Sequence, residues 1–395
     1  MTKRITYLDN AATTPVRPEV LEAMLPYLGS EAFGNPSSAH RFGRAARAGI
    51  EEAKRAVAEA VSAEPNQVVF TSGGTEADNL AIIGAALASK ARGGPFRVAV
   101  SASEHKAALA AAHAVKQLGG EEIILPVTAS GLVETDALDR AIERGVAVVS
   151  VMWVNNEVGT IQPVAELASR CTETGGGGGV PFHSDAVQAF GKIPVSFRDV
   201  SCALLTISGH KIGAPKGVGA LIVRDRKAVE AIIHGGGQQF GIRPGTENVP
   251  GIVGLGAAAR LAAQEQQALA PRLRELRDAL ERRLVAIVPD AVIHGWQSQR
   301  APHIANASIP GTDSEALLMH LDLAGVACSS GSACSTGAVE PSHVLTAMGV
   351  PRELGVAALR FSFGKDSSMD DVEAVAAVLP KIVEKVRSLS TVLHR

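Results

Sequence analysis

The stretch Asn66–Ala91, "NQVVFTSGGTEADNLAIIGAALASKA", changes its periodicity within a few residues. It opens as a short β-branched run, breaks at the glycine pair Gly73–Gly74, and resumes at Thr75 with an acidic first turn and apolar residues at helical spacing. A strand that runs through a glycine turn directly into a helix is one unit of an α/β layer structure. The unit recurs. "FRVAVS" precedes a helix from His105, "EEIILPV" one from about Thr135, and "GVAVVSVMWV" one over "VAELASRCTET". "VPFHSD", "CALLTIS" and "GVGALIVRD" supply further strands. Helical patterns at "EVLEAMLPYL" and "GRAARAGIEEAKRAVAEAV" come before them, and the alternation predicts helices flanking a mostly parallel sheet. Near residue 255 the character shifts. "PRLRELRDALERRLVAIVP" predicts a charged amphipathic helix whose charges form a solvated face, and "HIANASIPG", "GVACSS" and "ALRFSFG" predict strands of a smaller α+β domain. The boundary is expected between residues 250 and 290.

Bulk properties narrow the function. The 395 residues are 46% hydrophobic and 20% charged, with a formal net charge of -2, so no basic excess is available to neutralise nucleic-acid phosphates. The beginning "MTKRITYLDNAATTP" contains no apolar h-region, and no apolar run has the length of a membrane span. Cys171, Cys202, Cys328 and Cys334 form no CxxC pair and are too sparse for a disulfide framework, which predicts a cytoplasmic protein with reduced thiols. "TGGGGG", Thr174–Gly179, is expected to be a surface loop between a helix and a strand.

Ligands of open α/β sheets bind at the carboxyl ends of the strands. Those ends carry Thr71–Thr75, Glu104 and His105, Asn155–Glu157, Asp185 with Gln188 a turn later, and Ser208, His210 and Lys211. Each alone reads as a helix cap or a satisfied polar group. As a set they suit one ligand. "SGGT" before a helix offers backbone N–H groups, a hydroxyl and the positive helix end to a phosphate, yet it is neither a GxxxxGK[ST] loop nor a GxGxxG fingerprint. A phosphate site beside a Schiff-base lysine, and an aspartate able to pair with a pyridine nitrogen, point to pyridoxal phosphate.

Ten blocks carry a resemblance in order along nearly the whole chain: "YLDNAATTP", "FGNPSS", "TSGGTEADN", "SEHKA", "VNNEVGTIQP", "HSDAVQ", "SGHKIGAPKGVG", "GTENV", "SSGSACS" and "LRFSFG". Together they resemble the cysteine desulfurases of the NifS/IscS type, pyridoxal-phosphate enzymes of the class V aminotransferase family. The resemblance implies fold type I, with a seven-stranded large domain over residues 15–260. The small domain would take residues 261–395 together with 1–14. It also implies Lys211 as the cofactor's covalent anchor, Asp185 on the pyridine nitrogen, Gln188 on the ring oxygen, His105 stacked on the ring and Asn156 orienting cofactor and substrate. Gly74, Thr75, Ser208 and His210 would hold the phosphate, with Thr246 reaching it from the second subunit of a homodimer. Arg360, assisted by Asn35, would bind the carboxylate of free L-cysteine as a guanidinium fork. Cys334 would take the sulfur as a persulfide while L-alanine leaves, and would pass it to an acceptor or scaffold protein. Iron–sulfur cluster assembly, tRNA thiolation and DNA sulfur modification are the pathways such enzymes serve. No metal is expected beyond transient iron–sulfur ligation at Cys334.

Three departures stand out: Gln239 and Phe240 in "GGGQQFG" where the family often has Glu-Arg, the glycine run, and Ser335 where threonine is common. Cys328 ends the apolar run "AGVAC" and reads as a small buried hydrophobe, whereas Cys334 lies among small polar residues. Three rival readings stay open: a sister pyridoxal-phosphate enzyme needing no thiol, a catalytically silent scaffold, and a metal or redox pair formed by Cys328 and Cys334.

Overall fold

A computed structural model describes residues 5–173, 179–331 and 340–393. Twelve strands run in chain order: β1 Thr6–Tyr7, β2 Val68–Thr71, β3 Arg97–Ser101, β4 Glu121–Leu125, β5 Val148–Ser150, β6 Phe182–Asp185, β7 Leu204–Ser208, β8 Gly219–Val223, β9 Val292–Ile293, β10 Ile304–Ser308, β11 Val326–Ala327 and β12 Ala358–Ser362. The α-helices are α1 Pro18–Leu28, α2 Arg41–Ala60, α3 Gly74–Ala91, α4 Lys106–Gln117, α5 Thr135–Glu143, α6 Val164–Glu173, α7 Val249–Ile287, α8 Ser314–Ala324, α9 His343–Ala347, α10 Arg352–Gly355 and α11 Met369–Leu393.

The large sheet has seven strands in the order β2-β8-β7-β6-β5-β3-β4. Only β8 runs antiparallel to its neighbours, as its pairings with β2 and β7 show, so the mostly parallel seven-stranded sheet expected from the sequence is present. β2, β3, β5, β6 and β7 therefore end on the same edge. Strands β5 to β8 are buried along their whole length, as strands covered by helices on both faces must be. One apolar cluster, around Val57, Phe70, Val149, Phe182, Phe190 and Leu255, fills one face of the sheet. A second, around Val69, Leu80, Val98, Val115 and Leu204, fills the other. Gly219 at the start of β8 is a place where no side chain fits, because a Cβ would lie 2.8 Å from the backbone of Gly73. That close approach lets the turn into α3 lie flat against the sheet.

A separate sheet, β12-β10-β9, and the parallel pair β1-β11 pack with α8, α11 and the second half of α7 around Leu280, Leu317, Leu359, Phe361 and Leu379. The amphipathic helix expected over 271–289 is not a separate element. It is the C-terminal half of the 39-residue α7, and the expected division at 260/261 falls within that helix. Its N-terminal half packs into the first core as far as Ala262, and its C-terminal half joins the small-sheet core from Leu273, with Pro271 between them. The run Thr174–Gly179 lies outside the described residues except for Gly179.

Gln239 has a structural task. β2 is an edge strand, and the buried Gln239 accepts the N–H of Phe70 on Oε1 at 3.0 Å while donating from Nε2 to Glu247 Oε1. Phe240 stays half-exposed, with Lys54 and Arg226 over its ring at 4.5 and 4.4 Å. Gln239→Ala leaves a buried strand N–H and a carboxylate without partners, and should lower unfolding free energy by about 1–3 kcal/mol. Chemical denaturation at unchanged m-value is the measurement that checks it.

Candidate active site

Five strand ends deliver the polar set to one place. After β2, Thr71 Oγ1 donates to the carbonyl of Gly73 at 2.9 Å, and α3 begins at Gly74, so the free N–H groups of Gly74 and Thr75 open its positive end. β6 ends on Asp185, whose Oδ1 accepts the N–H of Val187 at 2.7 Å. β7 ends on Ser208, and a single 3₁₀ turn over Gly209–Lys211 follows. The turn after β3 brings Glu104 and then His105, which caps α4 by accepting the N–H of Ala107 on Nδ1 at 3.2 Å.

These ends surround a cavity of about 430 Å³, within the range of small-molecule sites. Its wall unites Gly74, Thr75, His105, Asn156, Asp185, Gln188, Ser208, His210, Lys211 and Arg360. Lys211 Nζ donates to the carbonyls of Ala11 and Ala12, at 2.7 Å each. Gln188 Nε2 donates to the carbonyl of Ala11 at 2.8 Å, and its Oε1 lies 3.2 Å from His303 Nε2. His210 Nδ1 is 3.1 Å from Thr13 Oγ1. Arg360 is no edge residue facing solvent: only 4% exposed, it donates from Nη1 to the carbonyl of Asn156 and from Nη2 to Asp9 Oδ1, both at 2.8 Å.

The electrostatics follow from burial. Lys211 is pushed down to about 8, first by burial and then by the Arg360 cation, against the pull of Asp185 and Asp9. Burial raises Asp185 to about 6 against the Val187 N–H and Lys211, and raises Glu104 to about 8. Asp78, buried beside them, is raised as well, with Asp185 adding to the effect. His210 falls to about 4 and His105 is lowered too, in both cases by burial first and cationic neighbours second. Neutral imidazoles and a partly neutral lysine amine thus share the wall at neutral pH. Three buried polar atoms on it have no hydrogen-bond partner: Asp78 Oδ1, Asn156 Oδ1 and Arg360 Nε.

Two of the expected site residues, Asn35 and Thr246, are not brought to this wall. Asn35 is exposed, its Oδ1 accepting the N–H of Ser37 at 2.9 Å. Thr246 is outside the cavity of its own chain, in a loop tied to α3 through Arg243 and Glu76 at 2.7 Å. Cys334 lies outside the described residues. Cys328 is half-buried against the small-sheet core, and burial pushes its thiol up to about 12, as befits a packing residue. Asp9, Asp78, Met152 and His343 were not singled out in the sequence. Asp9 sat unremarked inside "YLDNAATTP", and helix spacing from Gly74 would have turned Asp78 toward the same end. Met152 and His343 carry no local signal.

Residues 6–375 match the family described as aminotransferase class-V. The cysteine desulfurase IscS of Dictyoglomus turgidum is 45% identical over 388 residues, covering 98% of this chain and 97% of the relative. That of Methanosarcina thermophila is 43% identical over 384 residues, covering 97% and 93%. Among solved structures, a NifS-like protein superposes with a TM-score of 0.86 at 32% identity, covering 98% of this chain and 99% of that one. With family motif, chain-length identity and backbone in agreement, the chain belongs to the class V aminotransferase family, and within it to the cysteine desulfurases of the NifS/IscS type.

Proposed function

We propose that this chain holds pyridoxal phosphate in the cavity at the carboxyl edge of the large sheet and transfers the sulfur of free L-cysteine to a protein thiol, releasing L-alanine. The observation that carries this reading is the convergence on one wall of a lysine amine depressed to about 8, a buried aspartate and a buried arginine. The family is pyridoxal-phosphate-dependent, and the wall fits the group. Two acceptors and one donor are buried there without partners, Asp185 presents a carboxylate, and α3 points its free N–H groups inward. Gly74, Thr75, Ser208 and His210 would hold the phosphate, Asp185 the ring nitrogen, Gln188 the ring oxygen, His105 the ring face, Asn156 the cofactor's orientation and Lys211 the covalent link. When bound, the group supplies an electron sink for bond breaking at the amino acid's carbons.

The chain's own residues supply the rest. Arg360 binds the carboxylate of L-cysteine, and its fixed fork orients Cα toward Lys211. Lys211, neutral for part of the time near its pKa, takes and returns the Cα proton. The thiolate of Cys334 attacks the substrate sulfur. The carbon–sulfur bond breaks, Cys334 keeps the sulfur as a persulfide, and the carbon takes a proton to become the methyl group of alanine. No outside oxidant or reductant is needed. A second copy of the chain would bring Thr246 to the phosphate, making the enzyme a homodimer, and a sulfur-acceptor protein would relieve Cys334. The cytoplasm would be its setting; Cys171 and Cys202 are buried free thiols, both pushed to about 12 by burial. No helix among the described residues is long and apolar enough to cross a membrane.

The purified protein should show the visible absorbance of bound pyridoxal phosphate and form alanine and sulfide from L-cysteine with a reductant present. Cys334→Ala should keep that absorbance and lose persulfide formation by at least about 10²-fold. A variant that still carries sulfur on the protein would defeat the proposed acceptor. A second test concerns Lys211. Arg360→Gln removes a like charge beside it, so its pKa should climb from about 8 toward the usual lysine value. In cofactor-free protein, the pH at which an acylating reagent half-labels Lys211, read by mass spectrometry, should rise accordingly; an unchanged midpoint would contradict this account of the site.

A further inference from the structure

Gln188, in the cavity wall, is gripped from two halves of the molecule. It lies in the turn after β6, and its Nε2 donates to the carbonyl of Ala11 at 2.8 Å, the same oxygen that receives Lys211 Nζ. Its Oε1 lies 3.2 Å from Nε2 of His303. His303 belongs to the small sheet: it immediately precedes β10, its carbonyl accepts the N–H of Phe363 at 2.9 Å, and it is wholly buried. These contacts leave one orientation for the amide and one tautomer for the ring. A carbonyl can only accept, so the amide edge on Ala11 is the NH2 edge and Oε1 is turned to His303. Oε1 likewise only accepts, so the hydrogen of neutral His303 is on Nε2. Burial first, and then the cations Lys192, Arg360 and Arg277, hold the ring well below its ordinary pKa and keep it neutral. Nδ1 is buried without a partner, so the bond to Gln188 is the only hydrogen bond of this side chain among the described residues. A ring nitrogen left unsatisfied in the core is destabilising, and packing alone does not account for a histidine here.

Resting on the reading above, in which Gln188 meets the ring oxygen of pyridoxal phosphate, we propose that His303 is a positioning residue for the cofactor. Its Nε2–H holds Oε1 of Gln188 toward the core, so that the amide offers the ring oxygen a hydrogen and not a lone pair. The amide has two N–H bonds; one goes to Ala11, and the other is available to the cofactor. Donation into Oε1 also polarises the amide and makes its N–H a better donor. A hydrogen given to the ring oxygen favours the anionic form of that oxygen, which lowers the pH at which the bound cofactor loses its proton. Without His303, Oε1 has no donor in the core, and rotation of the amide brings a lone pair against the ring oxygen. His303 itself gives up no proton; it acts through Gln188.

The visible absorbance of the bound cofactor, titrated with pH in the absence of substrate, reads this arrangement. His303→Met should raise the midpoint by about 0.5–1 pH unit. His303→Gln, whose amide nitrogen can stand where Nε2 stood, should keep the midpoint close to that of wild type. Gln188→Leu should raise it alone, and His303→Met added to Gln188→Leu should raise it no further. Nitrogen NMR of the wild-type holoenzyme with labelled histidine should show His303 neutral and protonated on Nε2, a measurement that needs no variant to fold. An unchanged midpoint in His303→Met, an equal rise in His303→Gln, a further rise in the Gln188→Leu background, or a hydrogen on Nδ1 would overturn the assignment. Each of these leaves the desulfurase reading intact. If the wild-type protein shows no cofactor absorbance and forms no alanine from L-cysteine, both fall together.

Discussion

The site depends on a strap of eight residues, Tyr7–Thr14, that crosses from the small sheet to the large one. Leu8 donates its N–H to Ala327, and Ser362 returns one to Leu8. Asn10 and Ala11 bond the backbone and hydroxyl of Ser362, at the end of β12. On the other side the carbonyls of Ala11 and Ala12 receive Lys211, Ala11 also receives Gln188, and Thr14 bonds the carbonyl of His210. The Asp9–Arg360 ion pair closes the stitch, with Arg360 almost wholly buried. A pair taken this far out of water contributes little net stability, but losing either partner strands a charge. Its role is geometric: it keeps a guanidinium from the small sheet in fixed register with a lysine from the large one.

Burial sets the chemistry as firmly as it sets the shape. Asp78, Glu104 and Asp185 crowd together with almost no access to water, and each is raised mainly for that reason. Glu104 accepts the N–H of Met152, so a carboxyl that is hard to ionise serves as a brace between the turns after β3 and β5. Asp185 differs in lying next to Lys211, whose charge pulls it back down, and it alone of the three offers the cavity an oxygen readily ionised near neutral pH.

Much of this was legible in the chain because the carboxyl-edge rule needs only the strand order of local patterns. "VVF", "HSD" and "LLTIS" each announced a buried strand, and Gly74 and Thr75 just beyond the first, Asp185 at the end of the second and Ser208 at the end of the third line the cavity. What escaped were partners distant in sequence. Asp9 and Arg360 are 351 positions apart, and Glu104 and His343 are 239 apart, so no window of periodicity contains both members. Arg360 itself was readable only because a charged residue between Leu359 and Phe361 is costly unless paired. The start of the amphipathic helix at 271 was misjudged for a local reason: proline commonly opens a helix, and Pro271 hides a helix that began 22 residues earlier at Val249. Gln239 stood in the sequence only as a departure from the family's Glu-Arg, and its place as the cap of an edge strand appears only once the strand order is known.

Pro271 has a mechanical meaning. A proline within a helix removes one hydrogen bond and pushes against the carbonyl four residues back, so bending stiffness is lowest there. In α7 that weak point falls between the last residue buried in one core, Ala262, and the first buried in the other, Leu273. The two halves of the molecule are joined by a rod thinned at its middle. The strap spans the same two halves, receiving Lys211 on one side and Arg360 on the other, so any bend at Pro271 would bear on the register between these two side chains.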